Sequence, residues 1–94
     1  MIYVYCYNKV KKEDINVFMT AAKEHAKMSK GLDEGCIAFD VSEYNADTEE
    51  VAFFERWENM ECLQKHAERC KGVPILDVLS ASRYEKDLKI YTVI

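Results

Sequence analysis

Ninety-four residues with a formal net charge of -4, 49% hydrophobic and 32% charged, describe one ordinary folded domain spanning 1–94. The lysines are interleaved with Glu and Asp, so no basic stripe suits a nucleic acid. No apolar run reaches the roughly 18–20 residues of a membrane span. Met1 to Val10 also lacks the pattern of a signal peptide, so a cytoplasmic chain is expected.

The first strand is expected over Ile2 to Val10. Ile2, Val4, Cys6, Asn8 and Val10 share one face; Tyr3, Tyr5 and Tyr7 share the other. A tyrosine row brings large apolar rings with polar tips, a composition suited to contact with a partner subunit. A helix follows from about Asp14 to Lys30, with Ile15, Phe18, Met19, Ala22, Ala26 and Ser29 as its buried stripe and Gly31 as its end. His25 sits beside that stripe and reads as a boundary residue.

Gly35 opens the second strand, whose apolar face is Ile37, Phe39 and Val41. Asn45 to Thr48 is turn chemistry, and Val51 to Trp57 is the third strand, joined to the second as an antiparallel hairpin. Aromatics on both of its faces mark this strand as central. Asn59 is a helix N-cap, followed by a stripe of Met60, Leu63, Ala67 and Cys70. Gly72 to Pro74 breaks that helix. A short helical turn with Leu76 and Leu79 inward comes next, and the last strand is best formed from Leu88 to Val93. The order predicts an α+β, ferredoxin-like βαββαβ fold: a four-stranded antiparallel sheet with helices on one face. A second copy covering the other face would make a symmetric dimer.

His66 is the sharpest candidate for chemistry. It borders the buried stripe, where a histidine can bond a ligand or exchange a proton near neutral pH; a core-edge histidine bonded to backbone is the alternative. Cys62, His66 and Cys70 are of ligand type, but a residue at i+8 lies about 12 Å along the axis from the first, so no metal site is expected there. The same distance excludes a Cys62–Cys70 disulfide, and the four cysteines read as free thiols. Asn8 is an amide on an apolar face, available either to a ligand oxygen or to backbone. Phe39 and Trp57 fill the core or line an aromatic pocket.

Glu34-Gly35-Cys36, then Phe54-Glu55-Arg56-Trp57, then Leu63 and His66, resemble the antibiotic biosynthesis monooxygenase family in its Gly-Cys, Glu-x-Trp and Leu-x-x-His elements. The resemblance implies a homodimeric α+β barrel and a pocket between sheet and helices that takes a small electron-rich aromatic. The resemblance puts His66 in the pocket; in the monooxygenase reading His66 and Asn8 would be catalytic, His66 assisting proton transfer and Asn8 orienting a substrate oxygen, and Phe39, Trp57 and Cys6 would bind substrate. Cys6 falls on the first-strand register where haem-degrading members carry Asn. The second histidine of several quinol-oxidising members is replaced here by Lys71. No haem, other cofactor or metal is expected. A cofactor-independent monooxygenase is the first reading; a small-molecule isomerase or ligand-binding homodimer is the alternative, with a purely structural dimerisation module third.

Overall fold

The computed structural model describes residues 1–94. Its elements are β1 (Ile2–Lys9), a 3-10 turn (Lys12–Asp14), α1 (Ile15–Leu32), β2 (Cys36–Val41), β3 (Glu50–Trp57), α2 (Met60–Cys70), α3 (Pro74–Ser82) and β4 (Glu85–Thr92). The sheet order is β2-β3-β1-β4, with every neighbouring pair antiparallel. This is the ferredoxin-like α+β architecture expected, with the third helical turn grown into a helix of its own. No helix is long and apolar enough to cross a membrane.

The core forms where the alternating residues of β1 and β3 meet α1. Ile2, Val4, Cys6 and Val10 are buried with Val51, Phe53 and Trp57, and Phe18, Ala22 and Ala26 close over them. Phe18 stacks on Phe53 with ring centroids 5.9 Å apart. A strand's period of two puts these residues on the helix side and leaves Tyr3, Tyr5 and Tyr7 half-buried on the opposite side.

Four local expectations are corrected. Gly31 does not end α1, which runs on to Leu32 and is closed by the Asp33 N–H donating to the Ser29 carbonyl. Gly31 meets no neighbouring atom, so it costs only the usual helix penalty of about 1 kcal/mol. Ile37 is exposed because the register slips between Cys36 and Ala38, and such a bulge turns one residue off its face. The inner edge of α2 is Cys62 and His66, flanked by Leu63 and Cys70; Met60 faces outward, and Ala67 is exposed at the rim of a cavity. Finally, His25 is 6% exposed and belongs to the interior.

Gly35 explains the rotation of α2. Its φ is +78°, and a Cβ there would meet the Cys62 Sγ and lie 2.7 Å from the Cys62 Cβ. Only glycine lets the start of β2 pass so close to the first turn of the helix. Asn59 caps that turn, its Oδ1 accepting the Cys62 N–H at 2.9 Å. The capped turn presses Cys62 inward, and His66 follows one turn later on the same face.

Candidate active site

A cavity of about 330 Å³ lies between the sheet and the helices, bounded by β1, β3, β4, α1, α2 and α3. Its apolar wall includes Val4, Phe53, Leu76, Leu79, Leu88 and Ile90. Its polar groups are His25, Glu55, His66, Cys70, Arg83 and Lys86. A larger depression of about 610 Å³ runs between α1 and α3, but Glu24 is its only titratable side chain. The chemistry is in the smaller one.

His66 is held from behind. Its Nδ1 is 2.6 Å from Asp33 Oδ2, and Asp33 is gripped through both carboxylate oxygens by Arg69, from Nε and from Nη2. The Asp33 side chain is only 4% exposed. Burial pushes its carboxyl up, yet the hydrogen bonds from Arg69 and His66 outweigh this and hold it below the ordinary range. An ionised carboxylate accepts only, so Nδ1 of His66 carries the hydrogen and Nε2 is left to accept a proton. Trp57 packs against the His66 ring at 4.5 Å between centroids.

His25 joins His66 from α1, with ring centroids 5.5 Å apart, and Phe39 stands edge-on to His25 at 5.0 Å. Burial, then unfavourable electrostatic coupling to His66 and Arg69, lower His25 to about 4, so this imidazole is neutral near pH 7. Glu55 accepts the Trp57 Nε1–H at 3.0 Å and is 7% exposed. Burial raises its carboxyl to about 7, against the lowering effects of the Trp57 bond and of Lys86. The cavity thus holds a sheet carboxyl raised to about 7 beside the oriented His66 ring of the helix.

The sequence candidates separate into three sets. His66 and Cys6 line the cavity. Phe39 and Trp57 are 1% and 0% exposed and stand behind the histidines as packing. Asn8 is fully buried and its amide is occupied: Nδ2 donates to the Val51 carbonyl at 3.1 Å and more weakly to that of Cys6, while Oδ1 accepts from Arg83 Nη1 at 3.0 Å. Its reach is to Arg83, not to a ligand. Asp33, Arg69, Arg83, Glu55 and His25 were not among the sequence candidates. Glu55 alone carried a readable signal, a carboxylate alternating with Val51, Phe53 and Trp57 on a buried face.

Burial raises the Cys6 and Cys70 thiols, so neither is an activated nucleophile. A metal would not use Cys62, His66 and Cys70, but the fold gathers His25, His66 and Cys70, with ligating atoms within 4.8 Å of one another. Tetrahedral zinc needs such atoms about 3.3–3.6 Å apart, which follows from bonds of about 2.0–2.3 Å. Cys70 Sγ is 3.7 Å from His66 Nε2, close to that spacing, and the trio as a whole spans up to 4.8 Å.

The fold and the cavity define a ferredoxin-like α+β protein with a cavity between sheet and helices. A model of the antibiotic biosynthesis monooxygenase family matches residues 1–69, and the chain belongs to that family. Among solved structures, it is similar to a conserved protein from Methanosarcina mazei Go1 at 27% identity and TM-score 0.82, covering 96% of this chain and 89% of that one. A conserved protein of unknown function from Bacteroides thetaiotaomicron VPI-5482 matches at 24% identity and TM-score 0.84, covering 96% and 94%. A structure described as an antibiotic biosynthesis monooxygenase matches at 17% identity and TM-score 0.85, covering 100% and 99%. A search of curated proteins found no match.

Proposed function

We propose that this protein is a cofactor-independent monooxygenase of a small electron-rich aromatic, such as a quinol or a polyketide-like phenol. The observation that carries the reading is His66: its Nδ1 bonded to a buried, ionised Asp33, its ring at the wall of an apolar cavity. Membership of the monooxygenase family supports it.

For a hydroquinone the chemistry balances without another reagent. Nε2 of His66 takes the phenolic proton, and the phenolate passes one electron to dioxygen. The radical pair joins through a carbon–oxygen bond, and the base returns its proton to the peroxide. Loss of the ring C–H proton with cleavage of the O–O bond releases water and leaves a hydroxyquinone, so one oxygen atom enters the ring. The protein's part is to orient the substrate, exclude water and move protons. Glu55, whose carboxyl burial raises to about 7, would take the ring proton. Cys6, Phe53 and Leu79 form apolar walls, while Trp57 and Phe39 hold the histidines in place.

The working unit in this reading is a homodimer. Tyr3, Tyr5 and Tyr7, with Phe54 and Tyr91, lie on the sheet face that no helix covers. Tyr5 makes edge contacts with Phe54 and Tyr91 at 5.9 and 5.7 Å. A second copy laid on this face would close the barrel.

The test is oxygen uptake with a panel of hydroquinones and anthrone-like phenols, wild type beside His66→Ala. Uptake that drops by a factor of roughly 10²–10⁴ in the variant supports the proposal. Equal rates remove His66 from the mechanism, and no uptake with any compound overturns the oxygenase reading. A carboxyl near 7 also suits proton shuttling without oxygen, which favours an isomerase as the second reading.

A further inference from the structure

Arg83 and Lys86 stand at the β4 side of the cavity, beyond the residues that the family model matches. Arg83 is half-buried and has no carboxylate within ion-pair distance, nor has Lys86. Other interior polar groups near the site are matched: Asp33 with Arg69 and His66, Glu55 with Trp57, and Asn8 with backbone. A partly buried guanidinium without an anion is costly to the fold, and burial disfavours its charged form.

The fold nevertheless holds Arg83 in place. Asn8 is 0% exposed and sits where β1 would otherwise bury an apolar side chain, and its oxygen accepts from one guanidinium nitrogen. One bond of five leaves the rest of the fork to a ligand. The nearest carboxylate lining the cavity, Glu55, is satisfied by Trp57, and its raised pKa leaves about half of it neutral at pH 7. The charge in the cavity is therefore positive at the Arg83–Lys86 end, and the wall between that end and His66 is hydrocarbon.

We infer that the cavity takes an aromatic carboxylate, its acid group on Arg83 with Lys86 nearby and its ring against Val4, Phe53 and Leu79. Guanidinium and carboxylate match as a two-bond fork, and such charge-assisted bonds are about twice as strong as neutral ones. A cavity of about 330 Å³ is at the small end for ligand sites, suited to one or two rings. The inference rests on the proposed function only in using the same cavity: it names the acid group that the substrate carries beside its oxidisable ring. Asn8 becomes a positioning residue, acting through Arg83.

The test is a binding comparison of 1-hydroxy-2-naphthoate with 1-naphthol, the same ring without the acid. Quenching of the one tryptophan, Trp57, behind the His66 ring, provides the readout. Wild type should bind the acid at least ten times more tightly. Arg83→Gln should bring that ratio below about three, and Arg83→Lys, which keeps charge but loses the fork, should fall between. Lys86→Gln, at an exposed position, should lower the ratio about two- to threefold. Equal affinity for the two probes in wild type overturns the inference, as does no quenching by the acid at millimolar concentration. A ratio unchanged in Arg83→Gln also overturns it, and should that variant fail to fold, an unchanged ratio in Arg83→Lys does the same. Acid preference without oxygen uptake leaves this inference standing and removes the oxygenase reading; uptake without acid preference does the reverse.

Discussion

The helix-covered face of the sheet and its open face are built from alternate residues of the same strands, yet they differ in kind. The covered face interleaves Asn8 and Glu55 with Val4, Cys6, Phe53 and Trp57, and each polar group has a named partner. The open face carries Tyr3, Tyr5, Tyr7, Phe54 and Tyr91, whose contacts are ring edges and the Arg56 guanidinium 5.0 Å over Tyr3. A buried polar side chain costs stability unless it is paired, so polar groups kept on the covered face mark a site. Tyrosines tolerate both water and apolar contact, so a row of them suits the face on which the proposed second copy would lie.

The sharpest way to break this contrast is to charge the open face. Tyr5→Glu combined with Phe54→Glu is expected to yield monomer at micromolar concentration by analytical ultracentrifugation, with the circular dichroism of the fold unchanged. A dimer that persists would place the interface elsewhere. On the covered face, Trp57→Ala is expected to cost about 3–5 kcal/mol in urea unfolding, as large aromatic truncations do. Tyr3→Ala, measured on the monomeric background, should cost less than about 1 kcal/mol. Equal costs would mean that the two faces are packed alike.

Asp33→Asn separates positioning from proton acceptance. The amide can still bond Nδ1 but no longer favours the imidazolium, so uptake should drop about ten- to a hundredfold and the acidic limb of its pH profile should shift to lower pH. A drop without a shift would give Asp33 only a packing role.

A smaller effect appears in stability against pH. The folded Glu55 carboxyl sits at about 7 instead of 4.5, so the native state binds its proton more tightly than the unfolded chain. Its contribution therefore declines as pH rises from 4.5 to 7, by up to about 3 kcal/mol. His25 acts in the opposite sense: lowered from 6.5 to about 4, it destabilises the fold as pH falls through that window. Wild type should be nearly flat between pH 4.5 and 6.5 because the two slopes oppose. Glu55→Gln should expose the rising limb of His25 and be the more stable protein at pH 8. A Glu55→Gln curve parallel to wild type would show that this carboxyl titrates normally.

Most of the architecture was legible in the sequence. Alternation placed β1 and β3 with their faces correctly divided, and Asn59 announced α2 through its cap. Phases were harder. The bulge at Cys36 and Ala38 turned Ile37 outward, and the passage of Gly35 over Cys62 rotated α2 away from its hydrophobic pattern, bringing His66 in and Met60 out. Both are contacts between elements, which periodicity within one element does not encode.

The candidate site was legible only where one strand or helix carried the signal. His66 at the edge of its stripe and Cys6 on the inner face of β1 follow from local period and from family motifs. Their partners do not. Asp33 lies 33 residues from His66, and Arg83 lies 75 from Asn8. His25 reads as a boundary residue until α1 is laid across β3 and α2. Local preferences act over three or four residues and determined the elements, the central strand and the tyrosine face. Which charges meet in the cavity, and which of them is left without an anion, was decided by helix packing on the sheet, because electrostatics depends on distance in space and not along the chain.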